Sequence, residues 1–579
     1  MGSNRQPIRA ADIDGARFDI VIVGAGAAGS ILAARLSEDA ALNIALIEAG
    51  GDLPPGEEHP DILDPLPIAY GVAGRSWSEL SADITVHARS APARRTKRFT
   101  QGRGIGGGSA INGSFAFRGQ PEDYDGWAAA GAAGWGWQEV LPYFRKLETD
   151  LDIDNALHGS DGPMMIRRER RSAWSPFSEH LAGALQKQGY RWLDDYNGEF
   201  EDGYAAPPMA NLPERRIPTS TAYLTAEVRQ RRNLTILPDT EMRELIFEGR
   251  RATGIRAALP DGTARIFARE VILSCGGIFT PALLQRSGIG RADHLKKLGI
   301  PVRVDLPAVG EGLKNHPKLD IAFHLPDASR QRADIRSIGQ VCARLSSGRP
   351  GCMPHDMGLL AINRTTWHAL GRQIGALMLA LYQPKSAGHV RITGKQGLPS
   401  EIDIDFALLG HDDDFLRMRD GLALALRLLA GAQARGVINT VFAPNQKLVA
   451  RLQKHNTANA VAAGIIGGMF SSSLIRRLAL GPGIIEPGAL AEDAEGLEQI
   501  VRRHANLSHH VCGTCRMGAE GNPDAVLTPD CRVRGTEGLR VIDASIFPEI
   551  PRAGMFVPVM MAAEKMADQI KREWQIPAA

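Results

Sequence analysis

Cysteine is scarce: the 579 residues hold six, at positions 275, 342, 352, 512, 515 and 531. So few thiols in so long a chain cannot build a disulfide scaffold, and a reduced, cytoplasmic setting is expected. Charge of one sign is also missing. Lys+Arg number 67 against Asp+Glu 65, a formal net charge of +2, which excludes a chain that coats nucleic acid by bulk charge. No apolar run approaches the ~18 residues of a membrane-spanning helix, and residues 1–18 (MGSNRQPIRAADIDGARF) have no apolar signal core. No internal repeat of fixed period is visible. The most apolar stretch, Ala460 to Phe470 (AVAAGIIGGMF), is short and rich in glycine. It reads as a buried or channel-lining segment, with a membrane-surface contact helped by Arg476 and Arg477 as the alternative. What the chain does have is glycine, 63 residues, about 11% against a usual ~7%. That excess predicts tight turns and close backbone approaches of the kind cofactor-binding sheets need. Length alone suggests about four domains.

The first readable unit is DIVIV (Asp19 to Val23), GAGAAG (Gly24 to Gly29), a helical SILAARLSED and a second strand, NIALIEAGG, carrying Glu48. Strand, glycine turn, helix, strand and acid follow the dinucleotide-binding fingerprint in order and spacing. Gly24 permits the turn. Gly26 lets a pyrophosphate reach amides at the positive helix end. Gly29 lets helix and strand pack closely, and Glu48 can accept from ribose hydroxyls. The fingerprint alone does not choose between FAD and NAD.

A second glycine cluster, Gly106 to Gly108, precedes Ser109 and Asn112 and can press its backbone on a flat ligand. A strand-like AFRG and the tryptophan-rich GWAAAGAAGWGW follow it. EVILSC (Glu270 to Cys275) and LRVID (Leu539 to Asp543) read as strands, and Val557 to Ile570 as a helix with Pro558 in its first turn. Between roughly 315 and 490 glycine motifs are absent, and strand-like EIDIDFALL alternates with helical FLRMRDGLALALRLLAGAQA. This part reads as a second, substrate-facing domain.

With these pieces placed, the chain resembles the glucose–methanol–choline (GMC) family of FAD oxidoreductases over nearly its whole length. Gly102 to Asp125 is similar to the family's first signature. Gly276 to Gly290 is similar to its second, with Gly277 at a position usually held by another small residue. PKSAGHVRI at Pro384, HVCGTCRMG at His510 and GLRVIDASIFP at Gly538 are similar to three further family segments. The resemblance implies an α/β fold with an α+β substrate part: a Rossmann-like FAD-binding domain (18–160, 220–315 and 500–575) intertwined with a substrate-binding domain on an antiparallel sheet (161–219 and 316–499). It implies FAD on Gly24, Gly26, Gly29 and Glu48, with Gly106, Gly107, Ser109 and Asn112 along the flavin and its phosphate arm. Asp543 would lie near the ribityl and pyrophosphate, and the helix near Pro558 would aim its positive end at the flavin.

By the same resemblance the activity is oxidation of a small-molecule alcohol to the aldehyde, with hydride passing to flavin N5 and His510 as general base. A primary alcohol with an aromatic or apolar body is favoured by Ala460 to Phe470 and by MFVP at Met555 to Pro558. Oxygen and a quinone are the open acceptors. A flavin-containing lyase and a photodecarboxylase are the alternative activities. His509 and His504 are weaker candidates for the base. Cys512 and Cys515 form a CxxC, but no ordered Cys/His cluster completes a metal site. The family's second catalytic His or Asn falls at Gly554, beside Phe556 in the pocket; among its neighbours only Arg552 is polar. The position that carries a covalent flavin linkage in some relatives is Ile111, so FAD is expected to be non-covalent.

Overall fold

The computed structural model describes residues 8–88, 94–444 and 451–575. Residues 1–7, the start of the segment read above as lacking a signal core, lie outside them. In chain order the first part gives β1 (Arg17–Val23), α1 (Ala27–Leu36), β2 (Ile44–Ile47), β3 (Leu234–Leu237), β4 (Glu241–Glu248), β5 (Arg251–Leu259), β6 (Gly262–Leu273) and α2 (Gly276–Arg286). The second gives β7 (Pro317–His324), β8 (Gly339–Leu345), β9 (Met357–Ile362), β10 (Ile374–Leu381), α3 (Asp412–Ala434), α4 (Thr457–Phe470), α5 (Ser473–Leu480), β11 (Leu539–Val541) and α6 (Phe556–Gln575).

A seven-stranded sheet has the order β4-β5-β6-β1-β2-β3, with β11 also on β6. The strands β11, β6, β1, β2 and β3 pair in parallel, and β4, β5 and β6 form an antiparallel meander at one edge. β2 is buried at every position, with α1 packed against it and β1. Val23 stands in register with Ile47 and Leu273, and Leu273 with Val541. Gly24, Glu48, Ser274 and Asp543 therefore gather just past the carboxyl ends of the strands, where open α/β sheets bind ligands.

The second sheet has nine strands, with β7, β10, β9 and β8 antiparallel at its centre. α3 buries Phe415, Met418, Leu422, Leu426 and Leu429 at helical spacing, in one core with Leu319, Ile321 and Phe323 of β7. The period of two then turns Lys318, Asp320 and Ala322 to the opposite face, which lines the central cavity.

Three local expectations differ from the structure. AFRG (Ala116 to Gly119) is not a strand; Phe115, just before it, makes an isolated bridge to Met209. EIDIDFALL pairs only over Ile402–Asp405, because Ala407 and Leu409 turn with φ of 44° and 50°. The last helix starts one residue earlier than predicted, at Phe556.

Candidate functional site

A cavity of about 980 Å³ runs from the end of β1 to the inner faces of α4 and α5, near the upper limit for ligand sites. Gly24, Gly26, Glu48, Gly107, Ser109 and Asn112 line one end of it. Asp543, His510, Gly554 and Phe556 also line it. Gly29, Gly106 and Pro558 do not. Gly29 acts by packing: a Cβ there would lie 1.8 Å from the Gly24 carbonyl oxygen. Gly24 has φ 97°, and its Cβ would meet the Ser274 carbonyl oxygen at 2.5 Å. Gly107, at φ 48°, would put a Cβ 2.7 Å from the Gly26 Cα. Bare backbone from α1 and from the glycine loop thus forms two walls of one cradle.

Glu48 holds these walls together. Its carboxylate accepts from the amides of Ala25 (2.9 Å), Gly50 (2.9 Å) and Gly104 (2.8 Å). Three acceptor positions are spent on the fold. Ser109 Oγ donates to the Gly106 carbonyl at 2.6 Å and bonds Thr219 Oγ1 at 2.7 Å. Asn112 Oδ1 accepts from the Ser114 amide and from Arg216. Arg216, fully buried behind the loop, also donates to Ser114 Oγ and the Ser109 carbonyl, and burial lowers its pKa to about 10. Asp543 accepts from the Gly276 amide, Thr280 Oγ1, and the Ser545 amide and hydroxyl. Burial nonetheless pushes its pKa above the usual carboxylate range. Arg216 was not legible in the sequence, because the paired arginines of PERRIP (Pro213 to Pro218) read as surface.

At the other end, the Asn315 side chain accepts from the His510 amide at 2.7 Å, and His316 Nδ1 lies 2.9 Å from His510 Nδ1. The opposite edge of the ring faces Gly554, whose ideal Cβ would sit 3.4 Å from His510 Nε2. Burial and then Lys318 lower the His510 pKa to about 4. His316 is fully buried; burial, then His510, hold it well below the usual imidazole value, and the Pro551 backbone works the other way. His509 also lines the cavity. Its backbone is left-handed, φ 60°, so the segment is not simply extended, and its ring packs 4.9 Å from Phe99. Burial, Lys97, Lys318 and His510 lower its pKa to about 3. His504 ends a helix away from the cavity lining.

Arg552 does not replace the side chain missing at Gly554. It is buried in a bond to Asp123 Oδ1 (2.8 Å) and donates to the Pro354 carbonyl. Cys512 and Cys515 are fully buried free thiols, and burial raises both pKa values. Among the described residues, Glu148, Asp150 and His158 have metal-like spacing. Their carboxylates already receive Arg118, Arg168 and His158. Burial lowers the His158 pKa, but bonds to Asp150, Asp195 and Glu148 outweigh it and raise the pKa to about 10, with Arg118 opposing them.

Residues 18–318 and 384–563 match the N-terminal and C-terminal profiles of the GMC oxidoreductase family. The chain is 36% identical to 5-(hydroxymethyl)furfural oxidase of Methylovorus sp. over 570 residues, 96% of this chain and 98% of that protein. It is 31% identical to an oxygen-dependent choline dehydrogenase of Chromohalobacter salexigens, covering 97% and 96%. Among solved structures, pyridoxine 4-oxidase from Mesorbium loti matches with a TM-score of 0.75 at 28% identity, over 96% of this chain and 99% of that one. The glycine cradle, whose walls only bare backbone can form, fits a dinucleotide, and the chain belongs to the GMC oxidoreductase family of FAD-dependent enzymes that oxidise alcohols.

Proposed function

We propose that the chain oxidises a primary alcohol with an aromatic or apolar body to the aldehyde, with His510 as the general base. The observation that carries this reading is the open Nε2 edge of His510 against Gly554. With Nδ1 of His510 and of His316 2.9 Å apart, one ring must donate. If His510 Nδ1–H donates, Nε2 keeps its lone pair and can take the hydroxyl proton at the open edge. His316 would then be a positioning residue, fixing that tautomer from behind. A pKa lowered to about 4 keeps His510 neutral at ordinary pH.

FAD, when bound, supplies the hydride acceptor for the alcohol carbon. Gly24, Gly26 and Gly107 would hold its pyrophosphate arm, with Glu48, Ser109, Asn112 and Asp543 stiffening the cradle. Gly29, Gly106 and the helix at Pro558 would act through the backbone around it. Ile111, which lines the cavity, has no nucleophilic atom, so the cofactor would be non-covalent.

The apolar body would rest on Phe117 and Leu360, which cluster with Ala553 beside Gly554 and with partly buried Phe115, Ile362 and Met378. The name of the 36% relative, 5-(hydroxymethyl)furfural oxidase, supports a hydroxymethyl group on an aromatic ring. The test is an anaerobic screen of furan, benzyl, aliphatic and sugar alcohols for flavin bleaching. Fastest bleaching by ring-bearing primary alcohols supports the reading; fastest bleaching by a free sugar contradicts it.

A further inference from the structure

Eight large hydrophobic side chains stand exposed among the described residues, and five of them fall on α4 and α5. On α4, Val461, Ile465 and Met469 are 59%, 62% and 51% exposed. They recur every four residues, one outward stripe of a helix. On α5, Leu474 and Leu478 repeat the spacing at 66% and 76%. The inner sides of the same helices are occupied: Ala463, Gly467 and Phe470 are buried, and Ile466, Phe470 and Leu480 line the cavity. The pair therefore roofs the far end of the cavity and turns a second apolar face outward.

Within the segment that forms this face the charge has one sign, up to the exposed Glu486 that follows it. Residues 451–485 contain Arg451, Lys454, Arg476 and Arg477 and no Asp or Glu. Arg476 is turned inward, contrary to its expected place at a surface contact. It is 4% exposed and donates to the Phe470 and Ser471 carbonyls that end α4. Arg451, Lys454 and Arg477 remain exposed.

We propose that α4 and α5 dock on an anionic lipid surface, with the leucine, isoleucine, valine and methionine stripes in the interface and the three exposed cations at the headgroups. Among the described residues no single helix is long and apolar enough to cross a bilayer, and this pair bends by 115° with one side held by the protein; it lies on the surface rather than spanning it. A second copy of the chain fits worse. A two-fold interface would set this surface against itself, placing cations on cations with no acid from either segment.

The test is co-sedimentation of the FAD-loaded protein with extruded vesicles of phosphatidylcholine, alone or with phosphatidylglycerol. Binding should appear with the anionic vesicles. Leu474→Ser with Leu478→Ser should lower the partition coefficient at least about 10-fold, and Arg477→Glu roughly 5-fold or more. Val461→Ser with Ile465→Ser gives an independent reading on the other helix. FAD content and turnover of a water-soluble alcohol should stay unchanged in the Leu474/Leu478 and Arg477 variants. Absence of binding to either vesicle overturns the proposal. So does a stable dimer in sedimentation velocity that these substitutions dissociate while vesicle binding is absent.

Discussion

The two ends of the cavity are built on opposite terms. At the cradle end, backbone meets backbone and the polar side chains are already committed: Glu48 accepts from three amides and Asp543 from four donors. At the histidine end, one ring edge is held by His316 and the other faces a residue with no side chain. At the first end Gly24, Gly29 and Gly107 have no room for an added atom. The second leaves room, so substitutions there should change rate and selectivity before they change the fold.

Gly29→Ala should have the largest effect. Its methyl would press on the Gly24 carbonyl oxygen at 1.8 Å, and overpacking of about 1–3 kcal/mol or more falls where the cofactor must bind. FAD per chain, read from the visible spectrum, should drop to a small fraction. A fully yellow variant would break the contrast between the ends.

His316→Leu should come next. It leaves His510 Nδ1 buried without a partner, about 1–3 kcal/mol, or roughly 5- to 150-fold in the rate of flavin reduction. KM should change little, and the acid limb of the pH profile should move. His316→Asn, which restores an acceptor, should recover part of the rate. Equal loss in both variants with unchanged pH behaviour would make His316 a packing residue only.

The pH dependence sharpens the same point. The working form of His510 is neutral and its pKa is lowered to about 4. Activity should therefore persist well below pH 6.5 and fall as pH drops through about 4. Between these values the unfolded chain binds the proton and the folded chain does not, so this group's contribution to stability is also lost as pH falls from about 6.5 towards 4. A rate that halves near pH 6.5 would contradict the burial argument.

Gly554→Asn should act least. Its Cβ meets His510 Nε2 at 3.4 Å, a contact the site can hold, and a new hydrogen bond there is worth about 0.5–1.5 kcal/mol, a few-fold in rate. Turnover of small primary alcohols should change less than turnover of ring-bearing ones, which need the space.

The same contrast explains what could be read from the chain. Gly24 and Gly29 were legible because backbone crowding leaves no other residue there, and Glu48 because a carboxylate is needed to accept from three amides; both constraints are written in residue type and spacing. The register from Pro558 to Gly554 was legible for a related reason: a helix start fixes the count. His316 was not. One histidine before a proline at a strand start has no distinguishing pattern, and the pairing of β7 with residues 506–507, with the Lys314–Cys512 bridge, brings it to His510. The outward turn of Val461, Ile465 and Met469 was also hidden, since glycine and alanine blur the helical stripe in AVAAGIIGGMF.

The central claim is that His510, and not its neighbour, takes the substrate proton. The most direct measurement is the limiting rate of anaerobic flavin reduction by a good alcohol in His510→Ala and His509→Ala. His510→Ala should slow reduction by at least about 10²-fold with FAD content near normal, and His509→Ala by much less. Near-normal reduction in His510→Ala, or a larger loss in His509→Ala, would contradict the account.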